Sequence, residues 1–316
     1  MVYTKILKRA VEITWRYKAL WLFGFLLAFS SGGGYGNIGR GIEYRVRSGE
    51  QLPLQFALGM VSIAIILVLA LVVIGIVLTN ISRAALIGMV REIEDTEHTS
   101  ISNGWRIGWM RLLPLIGLDL AIGIPLLFIA IVLIIMGLSP LALLFAQRRV
   151  LTILGILLTV LFMLMVIGLL IVAGALVGLW RDFAYRQCVL EGKGILDSLC
   201  SAYHIVRKNL QQVGLLWLLL FGIDLLVGFI TVPLSLIIMG MAVAPVGLLY
   251  VTTESLAMAI LTGILLVTPA VLLLSFLGGI YQVFRSTTWT LAYLQLQAGA
   301  HSAEIDFLLS QAQLHK

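Results

Sequence analysis

Two carboxylates, Asp119 and Asp224, stand inside long runs of apolar residues. At 1.5 Å of rise per residue they lie roughly 12 and 18 Å along the helices those runs would form. A carboxylate at bilayer depth costs at least about 2.5–3.5 kcal/mol on insertion scales, so such residues face a bundle interior and often mark an ion or proton path. The same cost is met when a protonated Asp bridges neighbouring helices through Ser or Thr. No intramembrane Lys, Arg or His accompanies either residue in the sequence to build a relay. A structural bridge is therefore the leading expectation, and transport its rival.

The other polar constellations carry less chemistry. Gly34, Gly36 and Gly39 have the spacing GxGxxG, but no strand precedes them and no βαβ unit surrounds them, so they read as a flexible connection. Cys188, Cys200 and His204, with His98 as a fourth candidate, offer soft ligands, yet a closed zinc site wants four ligands and a close Cys pair. The two cysteines read instead as free thiols on the reducing side. Glu92, Glu94, Asp95 and Glu97 form an acidic run expected to be a solvated loop. Gly174 and Gly178 are a small-xxx-small pair suited to close packing, expected against an internal neighbour rather than a second chain. Pro125 and Pro233 are expected to kink their helices. No GxSxG elbow, phosphate-binding GxxxxGK[ST] or HExxH occurs, so the expectation is a non-enzyme without metal or cofactor.

The elements that must position these residues follow from composition. Apolar residues are 61% of the 316-residue chain and charged ones 11%, with mean hydropathy +1.09; soluble domains carry about 45–50% and about 25%. A water-soluble fold could not cover that apolar surface. The net charge of +6 is explained first by topology and anionic lipid headgroups, and nucleic acid is not an expected partner.

Lys5, Lys8, Arg9, Glu12 and Arg16 fall opposite Ile6, Ala10, Ile13 and Tyr17, the pattern of a helix in the headgroup plane. A short crossing follows, about Ala19 to Ser31. Ala28 and Ser30 would suit a signal-peptide cleavage site, but the long patterned helix ahead favours a retained crossing. A Gly-rich loop with Arg40, Arg45 and Arg47 comes next. Five longer runs, about Leu54–Asn80, Leu112–Leu138, Val150–Leu179, Val213–Met241 and Leu256–Val283, are each long enough to span. Backbone amides in lipid must be bonded within their own segment, so the runs must be helices. The fold class is all-α, a polytopic transmembrane bundle of about six spans forming a single integral membrane domain over 1–316.

Of the Lys and Arg residues, 16 fall on one side of these crossings and 5 on the other. The positive-inside rule then puts both termini in the cytoplasm, with 285–316 as a cytoplasmic tail. Trp15, Trp21, Trp105, Trp109, Trp180 and Trp289 lie near the same ends, where an aromatic belt is expected.

Each Asp is followed by a Pro 21 residues later, Pro140 and Pro245. Leu118-Asp119-Leu120 matches Ile223-Asp224-Leu225, and Ile-Ile-Met-Gly at 134–137 recurs at 237–240. Each copy opens with an amphipathic segment, Ser102–Arg111 or Asp197–Asn209. The expected unit is an interfacial helix plus a two-span hairpin, repeated over about 1–80, 81–180 and 181–284, the first copy lacking the Asp. All copies enter from one side, so the repeats are parallel.

The stretch Ile13 to Leu26, the Gly-rich loop after it, and the Ala-Tyr pairs at 184–185 and 292–293 resemble bacterial multi-pass proteins of the glycerophosphoryl diester phosphodiesterase membrane-domain family. That resemblance implies an inner-membrane helical module that assists a partner. The soluble phosphodiesterase domain is absent here, so its activity does not carry over. The expected function is a scaffold, anchor or regulatory subunit contacting the bilayer and a protein partner. The alternative is a small ion or solute transporter using Asp119 and Asp224.

Overall fold

A computed structural model describes residues 3–31, 54–146, 149–253 and 255–314. The three glycines Gly34, Gly36 and Gly39, and the arginines of their loop, lie outside the described residues. Among the described residues the chain is all-helical. The helices are α1 (Tyr3–Arg16), α2 (Ala19–Ser31), α3 (Leu54–Thr96), α4 (Ile101–Met110) and α5 (Leu112–Leu138), followed by a 3-10 segment (Ser139–Ala146). Then come α6 (Arg149–Arg186), a π-helical turn (Gln187–Glu191), α7 (Ile195–Lys208), α8 (Leu210–Thr253) and α9 (Leu256–Leu314). Five helices, α3, α5, α6, α8 and α9, are long and apolar enough to cross a membrane. The chain is thus a membrane-embedded helical protein. The 13 residues of α2 rise only about 20 Å, against about 30 Å of hydrocarbon.

The helices outrun the apolar runs. α3 continues from Asn80 to Thr96, because Ile81, Ala84, Ala85, Met89, Val90 and Ile93 keep a buried stripe at helical spacing through Arg83 and Arg91. α9 runs to Leu314, and residues Thr287 to Tyr293 are buried, so the first part of the expected tail belongs to the packed interior. Pro125, Pro233, Pro245 and Pro269 all sit inside continuous helices.

The chain divides into two compact units, Met1–Leu112 with Gly214–Lys316, and Leu113–Val213. In the first, α2 crosses α9 backbone to backbone. A Cβ on Gly24 would run into the Gly279 carbonyl oxygen, and one on Gly279 would stand 2.6 Å from the Phe25 nitrogen. Glycine is required at both positions, since any side chain would force the helices apart. Gly104 and Gly108 seat α4 in the same way against Phe23, Met89 and Ile81, with Ser100 capping its N-terminus by accepting from Asn103 N at 3.2 Å. The hydroxyl of Thr79 donates to Ser30 Oγ at 2.8 Å, tying α3 to α2.

The face of α1 formed by Ile6, Ala10 and Ile13 is buried in protein, on α9, while Val11 and Trp15 are exposed. Arg9 Nε donates to Glu94 Oε1 at 2.9 Å, and Tyr17 Oη to the Glu97 carbonyl at 2.9 Å. Hydrogen bonding to Glu94 holds the Arg9 guanidinium above its ordinary pKa. The acidic run, expected as a solvated loop, is solvated at Glu94, Asp95 and Glu97 but mostly helical. Its first members are the last turns of α3, where Glu92 accepts from Thr99 and Asn103 and Asp95 from Arg91. Glu97, at φ 56°, closes the helix in the left-handed region.

In the second unit, Trp180 Nε1 donates to the Leu199 carbonyl at 2.9 Å, holding α7 on the end of α6. The π-turn buries Gln187, Cys188 and Val189 and stops at Gly192, φ 70°. Lys193 Nζ then gathers Glu191, Gln187 and Ser201 at 2.6, 2.9 and 3.2 Å. Within this unit, a Cβ at Gly174 or Gly178 would meet nothing within 4 Å among the described residues.

Candidate functional site

Both intramembrane carboxylates accept a hydrogen bond from a tyrosine on the next long helix. In the second unit Tyr185 Oη, on α6, donates to Asp119 Oδ1, on α5. In the first unit Tyr281 Oη, on α9, donates to Asp224 Oδ1, on α8. The partners are 66 and 57 residues apart in sequence. Each bond closes one hairpin across its two helices. The sequence reading looks to Ser or Thr for such a bridge, and the donor here is Tyr in both cases.

An arginine stands one helical turn from each tyrosine, in opposite directions. Arg285, four residues after Tyr281, brings Nη2 within 3.9 Å of Asp224 Oδ2. Residue 285 is expected in the tail; α9 instead continues through it as helix, which brings this arginine to the carboxylate. Arg181, four residues before Tyr185, lies over that tyrosine's ring, 5.8 Å from the centroid. The next arginine, Arg186, is buried and donates from Nη1 to the Asp182 carbonyl. Each carboxylate thus has a tyrosine donor, with an arginine near the acid in the first unit and an arginine over the phenol ring in the second.

The Asp224 site adjoins an apolar crevice of about 290 Å³. Val11, Thr14 and Trp15 of α1, Ile223 and Val227 of α8, and Tyr281 with its neighbours on α9 form its walls. Tyr281 therefore has its hydroxyl on the carboxylate and its ring on the crevice.

The remaining sequence candidates are not brought together. Cys188 is buried and Cys200 exposed, both as free thiols. No three metal-ligating side chains group among the described residues. His204 stands edge-on to Tyr203, ring centroids 6.0 Å apart, and His98 is held at the end of α3 by backbone contact with Thr96. What the sequence reading missed were the tyrosines and Arg285. The available signal was a Tyr at or just past the end of the second apolar run of each Asp-bearing hairpin.

Residues 11–298 match the family described as "Family of unknown function (DUF7544)". The match neither names a phosphodiesterase nor assigns an activity. No curated protein and no solved structure matches the chain.

Proposed function

The chain belongs to the DUF7544 family of unknown function, and we propose that it is a non-enzymatic multi-pass membrane module that scaffolds or regulates a protein partner. The observation that carries this reading is the engagement of both intramembrane carboxylates by tyrosines that tie helix pairs together. A carboxylate with a fixed donor on a neighbouring helix serves assembly, whereas a carrier site needs ligand groups free to exchange. The parallel repeat and the resemblance to the phosphodiesterase membrane domain point the same way, toward a helical platform with its cationic face and both termini in the cytoplasm. Anionic headgroups and a partner domain are then its contacts on that side.

The transporter reading keeps one supporting observation, the approach of Arg285 to Asp224 within 3.9 Å, since paired charges on membrane helices are a common part of ion paths. Reconstitution separates the two. Liposomes carrying the protein should show no proton or cation flux above empty vesicles, and the protein isolated in native lipid should carry a partner at fixed stoichiometry. Flux that Asp224→Asn abolishes would establish the transporter instead.

A further inference from the structure

We propose that the crevice between α1, α8 and α9 seats an acyl chain of one anionic phospholipid, with the phosphate held by Arg16 and Arg285. Three features of the first unit lead there. The walls are apolar, with Val11, Trp15, Val227, Leu277 and Ile280 among them, and the void of about 290 Å³ is of ligand size rather than a packing gap. Apolar lining inside a bilayer is filled by hydrocarbon, so the open question is which lipid. Charge decides it.

Arg16 and Arg285 directly follow Trp15 and Phe284, both crevice residues. Their side chains are 58% and 42% exposed, and each meets its carboxylate, Glu12 or Asp224, only at 3.9 Å. Charge-assisted hydrogen bonds close to about 2.7–2.9 Å, so both guanidiniums keep N–H groups available to a phosphate. Trp15, 61% exposed beside Arg16, has the amphipathic ring favoured at headgroup depth. An apolar cleft with cations at its edge selects an amphiphile whose head is negative. A zwitterionic lipid brings the same chain but a neutral head.

The site is independent of any protein partner, so its test does not depend on the scaffold reading. The protein is released from nanodiscs of equimolar phosphatidylglycerol and phosphatidylcholine, and retained lipids are counted by native mass spectrometry. The unaltered chain should keep one phosphatidylglycerol, preferred roughly tenfold over phosphatidylcholine, as basic groups near a membrane surface imply. Val227→Trp should empty the crevice and lose that lipid. The double change Arg16→Gln with Arg285→Gln should keep a lipid and lose the preference. Equal retention of both lipids by the unaltered protein, or full retention by Val227→Trp, overturns the proposal. Should the tryptophan variant not fold, phosphatidylglycerol with a photoactivatable chain tests the unaltered protein: adducts on residues 11–15 and 277–284 support the site, and adducts confined to other segments overturn it.

Discussion

The α2–α9 crossing and the α5–α6 hairpin show two ways of joining helices where the surrounding solvent is as apolar as the side chains. At the crossing, Gly24 and Gly279 bring two backbones into contact, and the stabilisation is dispersion over a closely fitted surface. In the hairpin, many apolar residues of both helices are exposed, Phe128, Ile135, Leu157 and Met165 among them; Gly137 packs on Met163 and Val166, and Tyr185 adds a polar link to Asp119. With no hydrophobic drive between helices, geometry holds one region and a polar bond the other. The first should fail when a side chain is added, the second when a hydroxyl is removed.

The largest expected effect is at the crossing. Gly279→Leu should cost about 3 kcal/mol through overpacking against backbone that cannot move aside, read as loss of folded yield and a lowered unfolding midpoint in detergent. Gly174→Leu is its control and should change stability by no more than about 0.5 kcal/mol; a large loss there would mean that α6 has a close neighbour after all. Tyr185→Phe should cost about 1 kcal/mol, within the range measured for hydrogen bonds between membrane helices, and an unchanged midpoint would break the contrast between the two regions. Asp224→Asn should cost less than that, because the amide oxygen still accepts from Tyr281 and only the attraction to Arg285 is lost. The smallest effect is Arg9→Gln, about 0.5 kcal/mol for a half-exposed ion pair. Glu94 raises the Arg9 pKa, so that contribution is complete at neutral pH and is lost only as pH rises through arginine's own strongly alkaline range. The gap between variant and wild type should therefore be the same at about pH 7 and about pH 10.

The membrane-crossing helices were legible because hydrocarbon tolerates only self-bonded backbone, which makes a run of apolar residues sufficient evidence. Their ends were not legible. Hydropathy falls at Asn80, but the Ala84, Ala85 and Met89 stripe continues on protein rather than lipid, and hydropathy does not distinguish the two solvents. Asp119 and Asp224 stood out by type alone. Their partners did not, since Tyr is ordinary near a membrane face and a hydrogen bond across 57 or 66 residues leaves no local pattern. The packing glycines show the complementary limit. Gly174 and Gly178 have the expected spacing and no close neighbour among the described residues of their own unit, whereas Gly24 and Gly279 meet each other from distant segments without any shared motif.

The order of the tyrosine and its acid along the chain sets a timetable for biosynthesis. Each Asp leaves the ribosome 57 or 66 residues ahead of its Tyr, roughly 3–13 s at synthesis rates of about 5–20 residues per second. Throughout that interval the acid-bearing helix has no phenol to meet. Lateral release of that helix into lipid is therefore cheapest once the following helix has arrived.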